Sequence, residues 1–309
     1  MNAPLSRRSF VKSAAAFGLA ALAAPPSFAQ AAPARRLKVG HTGITWGYAP
    51  PRAEQAVKDV ASLGYHCFES FGSVLEHWET RGGLGPVLEA AGLPLISAYC
   101  PANLTDPAKR KDEVAKLVRW GKLIAKCGGR IAVVGPDNVK RAEYDFAAAR
   151  PNIIAALNEI CTALADIGIT GALHPHSGSC VQTGDEVRAI YDAVDTRYVK
   201  LAPDAGELLH GGSDPIPLMR DHLPVIVHAH LKDFIGGQYN DGFCPLGRGK
   251  LDVPACVAVL EQSPHDLRLM AELNPNRDPQ MPKPALELAR DSRNYLESLG
   301  YAFRTAAGA

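Results

Sequence analysis

Apolar positions along the chain follow two alternating rhythms. Short runs of β-branched and aliphatic residues mark buried strands; between them, apolar residues recur at three- and four-residue spacing, as on one face of a helix. The pattern predicts strands at about 38–46, 66–71, 93–100, 130–135, 170–176, 199–204, 225–232 and 267–273. The intervening helices show as stripes. Ala53, Ala56, Val57, Val60 and Ala61 form the first, and a second helix runs to Ala91. Val114, Leu117, Val118, Gly121 and Ala125 mark a third, a further helix is predicted over 151–167, and Leu288, Tyr295, Leu296 and Leu299 mark the last. Strict alternation implies right-handed crossovers and parallel strands. Eight such units within residues 37–303 predict an α/β fold, a single closed (β/α)8 TIM barrel. An open doubly wound sheet would want a Gly-rich phosphate turn after the first strand. His41-Thr42-Gly43-Ile44-Thr45-Trp46-Gly47 is not that turn, and no internal repeat or second domain is visible.

The polar residues that break the pattern sit at strand ends. In VIVHAHLKD (225–233), His228 and His230 are two apart and share a strand face; Lys232 continues that face, and Asp233 closes the segment. Glu69 ends the second strand, His174 and His176 the fifth, Asp204 the sixth with Glu207 on the turn beyond, and Glu272 the eighth, followed by Asn274 and Asn276. A closed barrel gathers these C-terminal ends around one mouth. Imidazole and carboxylate together suit Mn, Co, Zn, Fe or Ni better than Ca, which takes all-oxygen shells. Residues 234–252 carry five glycines and Arg248, the composition of a lid over the mouth.

Composition narrows the partners. The chain has 309 residues, 47% hydrophobic and 21% charged, with a net charge of +1. The first 29 residues hold Arg7, Arg8 and Lys12 and no acid, so their removal leaves −2. That balance argues against nucleic acid and leaves small polar substrates. Ser6-Arg7-Arg8-Ser9-Phe10-Val11-Lys12 precedes an apolar run at 14–24, and Ser27-Phe28-Ala29 offers small residues for cleavage. This resembles a twin-arginine (Tat) signal over 1–29, with a Pro/Ala linker at 30–36. The apolar run is too short for an ordinary membrane span. The expectation is a periplasmic protein exported by the Tat machinery, with no stable membrane anchor after cleavage. Seven cysteines, none in a CxxC pair, read as scattered small hydrophobes.

Gly43-Ile44-Thr45-Trp46, His174-Pro175-His176-Ser177-Gly178-Ser179, Asp204-Ala205-Gly206, His228-Ala229-His230-Leu231-Lys232-Asp233 and Gly247-Arg248-Gly249 give the chain a family likeness. Over about 37–299 it resembles the xylose isomerase-like TIM barrels, the sugar phosphate isomerase/epimerase family, nearest in look to the inosose (2-keto-myo-inositol) dehydratase branch. The resemblance implies a divalent metal, Mn or Co foremost, held by Asp204, His230 and Glu272. The fourth ligand place falls on His174, where many members carry Glu, so His174 or His176 completes the shell. It also implies proton abstraction next to a carbonyl, giving isomerisation, epimerisation or elimination on a sugar, keto-sugar or cyclitol. Glu207, Glu69 and His176 are the candidate bases. The two carboxylates lead, because a partly dry mouth can tune a carboxylate upward toward neutral pH. Glu207 stands where many relatives carry a substrate-contacting His. Lys232 would neutralise a developing oxyanion or bind substrate, and His41, Trp46, His228 and Arg248 would contact substrate. Two alternatives stand beside this reading. A metal-dependent phosphodiesterase of the AP endonuclease type is disfavoured by the mature charge, and a non-catalytic sugar-binding barrel by survival of the ligand set.

Overall fold

A computed structural model describes residues 35–275 and 283–305. The predicted signal at 1–29, most of the linker at 30–36, and Asn276 lie outside these residues. The strands are β1 (Lys38–Thr42), β2 (Phe68–Phe71), β3 (Leu95–Ala102), β4 (Ile131–Pro136), β5 (Thr170–Leu173), β6 (Lys200–Leu201), β7 (His228–Leu231), β8 (Asp233–Phe234), β9 (Phe243–Cys244) and β10 (Arg268–Ala271). Helices α1 (Arg52–Ser62), α2 (Gly72–Glu79), α3 (Gly85–Ala90), α4 (Arg110–Lys126), α5 (Phe146–Ala165), α6 (Gly184–Tyr191), α7 (Ala205–His210), α8 (Pro215–Asp221), α9 (Val253–Leu260) and α10 (Ala285–Ser298) fill the connections.

Eight parallel strands run in the order β6-β5-β4-β3-β2-β1-β10-β7. Parallel bridges at Leu201–Ile226 and Asp204–His230 join the two ends, so the sheet closes as a barrel. Strands covered on both faces read as continuous apolar runs, which is why all six residues of β4 are buried. Ile131, Val133, Ala172 and Ala202 pack together as one apolar cluster, with Tyr99 and Val227 against it. Local chemistry sets the helix starts. Asp145 caps α5 by accepting from Ala148 N, and Thr183 and Glu186 form a reciprocal capping box on α6.

The eight predicted barrel strands are all present, and several are shorter than predicted. β1 stops at Thr42, and Gly43–Trp46 turn into a 3-10 helix. β5 stops at Leu173 and β6 keeps two ladder residues, so the functional side chains beyond them stand on irregular backbone. The strand predicted from 225 begins at His228, because Leu223–Val225 form a 3-10 turn containing Pro224. The second predicted helix is broken into α2 and α3 by Gly82 and Gly83, both in the left-handed region at φ 89° and 87°. The helix predicted from 151 starts at Phe146, behind its Asp145 cap.

Candidate metal centre and active site

The buried polar side chains of the barrel meet at the C-terminal ends of its strands. Asp204 ends the β6 segment and caps α7: its Oδ1 accepts from Gly206 N (2.8 Å) and Glu207 N (3.0 Å). That leaves Oδ2, which has no hydrogen bond and lies 3.2 Å from Lys232 Nζ and 3.9 Å from His174 Nε2. His174 Nδ1 is held by the carbonyl of Ala202 at 3.0 Å, so Nε2 is the ring's remaining donor atom. His230 Nε2 reaches Glu69 Oε1 at 3.0 Å, and its Nδ1, also without a hydrogen bond, faces Glu272 Oε2 at 3.2 Å. Ligand atoms of His174, Asp204 and His230 lie within 4.8 Å of one another. Two imidazoles with their outer nitrogens fixed, plus an orphaned carboxylate oxygen, form a donor set that can hold a divalent transition metal. Glu272 stands beside it, its Oε2 3.2 Å from His230 Nδ1. Glu69, His228 and His230 form a second close trio, but Glu69 is saturated there. Its Oε2 takes hydrogen bonds from Ser97 Oγ (2.6 Å) and His228 Nε2 (2.8 Å), while Oε1 faces His230. This trio orients His230.

A second network adjoins the first. Lys232 Nζ, fully buried, contacts Glu207 Oε1 (2.7 Å), Glu272 Oε1 (2.7 Å), Asn274 Oδ1 (3.0 Å) and Asp204 Oδ2. Glu207 also accepts from Ser177 Oγ and Ser177 N, and its Oε1 lies 3.1 Å from His176 Nε2. Burial opposes the charge on each of these groups, and the partners decide the outcome. Around Lys232, the carboxylates of Asp204, Glu207 and Glu272 outweigh burial and hold the ammonium well above its ordinary range. Lys232 and His176 hold Glu207 well below the carboxylate range, and Lys232 with His230 does the same to Glu272. Burial together with repulsion from Glu207 and Glu272 raises Asp204 despite Lys232. Glu207 outweighs burial and raises His176, whereas burial and the neighbouring rings of His230 and His176 push His174 well down, into the neutral form a metal requires.

A cavity of about 380 Å3 opens above these groups. Glu69, His174, His176, Glu207 and Glu272 line it, and Asp204, His228, His230 and Lys232 are buried outside its lining. All four expected substrate contacts lie outside the lining, His228 because Glu69 holds it at 2.8 Å. His41 is buried edge-on to Trp46 and Tyr65, bonds the Thr42 carbonyl, and is lowered by burial to about 4. Trp46, at the end of the 3-10 turn after β1, donates its Nε1–H to Asp59 of α1 at 2.7 Å. Arg248 is 60% exposed and pairs with Asp291 at 3.2 Å. Each is drawn off by a nearer partner. The expected upward tuning of the carboxylates is also reversed, since Glu69 and Glu207 both face cations and are lowered. Sequence reasoning passed over Ser97, Tyr99, Ser177 and His210 as individual residues. His210 lines the cavity and contacts Ser177 Oγ through Nδ1 at 3.0 Å; its position three residues after Glu207, on one helix face, was the available signal.

The sequence profile of the family described as xylose isomerase-like TIM barrel matches residues 57–299. An inosose dehydratase of Clostridium botulinum (strain Alaska E43 / Type E3) is 24% identical over 270 residues, covering 79% of this chain and 88% of that protein. Among solved structures, the IOLI protein with a bound zinc atom superposes with a TM-score of 0.71 at 15% identity, covering 85% of this chain and 98% of the other. The 3-keto-D-glucoside 4-epimerase of E. coli does so with a TM-score of 0.64 at 17% identity, covering 85% and 99%. Closed parallel barrel, mouth-facing donor set and matched profile together make the chain a member of the xylose isomerase-like TIM barrel family.

Proposed function

We propose that this protein is a divalent-metal-dependent lyase acting on a keto-sugar or cyclitol, removing a proton next to a carbonyl and expelling a β-hydroxyl or glycosyl oxygen. The observation that carries the reading is the placement of the His176–Glu207 pair, at 3.1 Å, on the wall of the cavity that also exposes His174 and Glu272. A metal held by His174, Asp204, His230 and Glu272, with Mn, Co and Zn the leading candidates, would polarise the ketone oxygen and so compensate for the low basicity of Glu207. Glu207 accepts the α-proton. His176, protonated at rest, gives its own proton to the departing oxygen, and the proton on Glu207 then returns to His176 across their contact. The covalent balance is one C–H and one C–O bond broken, with one C=C bond and one alcohol or water formed.

Epimerisation is the second reading. It needs a second free base facing the opposite side of the substrate. Glu69 is engaged by Ser97, His228 and His230, and Asp241 accepts from Asn274 Nδ2 at 3.1 Å. Glu207 is no less engaged, by Lys232, Ser177 and His176, but its partner His176 lies on the cavity wall and supplies the acid that elimination needs, whereas the imidazoles that hold Glu69 lie outside the lining. Phe71, Tyr99 and Phe243 add apolar walls suited to the C–H faces of a sugar ring. We further propose that residues 1–29 direct export to the periplasm. Incubating the protein with Mn, Co or Zn and a panel of keto-inositols and 3-keto-glycosides in D2O tests the chemistry. Loss of water or of the aglycone, read by mass spectrometry, is expected. Stereochemical inversion without loss would replace elimination by epimerisation, and the absence of α-hydrogen exchange throughout the panel would refute both.

A further inference from the structure

A buried ammonium and a metal cation seldom share a ligand, yet here both need Asp204 Oδ2. Lys232 Nζ lies 3.2 Å from that oxygen, which has no hydrogen bond, and 2.7 Å from Oε1 of Glu272. Two of the four groups able to hold the metal are therefore already neutralised, in part, by a side chain of the same protein. The contact is built in. Lys232 is fully buried, its Nζ lies 4.5 Å from the centroid of the Phe243 ring, and its backbone is packed so tightly against α7 that a Cβ on Gly206 would come within 2.3 Å of the Lys232 carbonyl oxygen. The partners sort into two groups. Asp204 and Glu272 belong to the metal donor set; Glu207 Oε1 and Asn274 Oδ1 do not, and can keep the ammonium when the others are taken.

We propose that Lys232 is a resident counter-ion for the metal site, holding Asp204 and Glu272 together before the metal arrives and weakening its binding afterwards. The inference rests on the metal reading above. The ammonium touches all three carboxylates, but Glu207 is shared with His176, so the charge it offsets falls chiefly on Asp204 and Glu272, the two a divalent ion would take. Removing the ammonium vacates an oxygen on each of those two carboxylates and takes away the positive charge beside them that would repel the ion. The metal is accordingly bound more loosely and exchanged more readily than its ligands alone would allow.

The test is a metal titration that does not depend on turnover. Metal-free wild type, Lys232→Met and Lys232→Arg are titrated with Zn2+, Mn2+ and Co2+ by calorimetry or chelator competition, and melting is followed with and without metal. Lys232→Met is expected to bind at least tenfold more tightly than wild type, to melt lower without metal, and to show the larger metal-induced rise in Tm. Lys232→Arg, which keeps the charge, is expected to show no such tightening. A Lys232→Met protein that folds only with metal added also supports the proposal. Equal or weaker binding by Lys232→Met than by wild type overturns it while leaving the metal site standing, as does tightening of the same size in Lys232→Arg. Binding by none of the three proteins overturns the metal reading and this inference together, whereas a Lys232→Met chain that stays unfolded with metal present overturns this inference alone.

Discussion

At the residue scale, the decisive contact is the one between Glu207 and His176. Glu207 outweighs both burial and Lys232 to raise His176, so the imidazole carries its proton at a pH where a free one would begin to lose it. As the acid of the elimination, His176 must be protonated; the rate is therefore full below its raised pKa and falls as pH rises through it. Glu207→Gln removes the raising charge and the proton acceptor together. With metal content unchanged, kcat is expected to fall by roughly two to four orders of magnitude. The alkaline limb of the residual rate should move to lower pH. A Gln variant whose alkaline limb stays at the wild-type position would show that Glu207 does not set the state of His176. Residue identities at the mouth were legible from the sequence because strand ends of a closed barrel converge. Roles were not, because they depend on which partner comes nearest. Lys232, expected to meet a substrate oxyanion, is taken up by three carboxylates of its own chain.

At the scale of elements, the alternation of strand and helix rhythms was enough to give the barrel, since apolar-rich strands such as β4 alternate with helices such as α1 that bury one stripe. Ends and breaks were harder. They are set by caps and by backbone hydrogen bonds to residues distant in sequence, as when His174 N still bonds Val134 O after β5 has formally ended. The Gly-rich segment after β7 is the clearest case. Read as a lid, it has a fixed base, where β8 and β9 pair antiparallel and the buried Asp233 accepts four backbone N–H groups. Oδ1 takes Phe234 (2.9 Å) and Leu251 (3.0 Å), and Oδ2 takes Gly247 (3.0 Å) and Gly249 (2.8 Å). Gly249 must lack a side chain there, since a Cβ would fall 2.2 Å from Asp233 Oδ1. Asp233→Ala leaves these donors without an acceptor and is expected to cost about 2–4 kcal/mol. Urea unfolding measures the loss, and limited proteolysis should find new cleavage between 234 and 252. An unchanged urea midpoint together with an unchanged digest would mean that the turn holds without its carboxylate.

At the scale of the whole molecule, the family, the barrel and the mouth-facing cluster all follow from the described residues, whereas the export reading rests on residues 1–29 alone. The folded part is nevertheless informative about the route. All seven cysteines are free, and burial raises the thiols of Cys67 and Cys161 to about 12, so they stay protonated and slow to oxidise. A fold with no disulfide can be completed in a reducing compartment, and its metal site can be loaded there as well. Both suit a route that carries folded proteins. The paired Arg7 and Arg8 are the part of such a signal that a receptor reads, whereas the apolar run at 14–24 would serve other routes equally well. Arg7-Arg8→Lys-Lys keeps the charge and removes the guanidinium pair. If the Tat route carries the protein, this variant should accumulate in the cytoplasm as folded, uncleaved chain, while wild type appears in the periplasmic fraction shortened by about 29 residues. Fractionation with mass measurement of the mature N-terminus distinguishes the outcomes, and periplasmic recovery of the Lys-Lys variant at the wild-type level would remove the twin-arginine assignment.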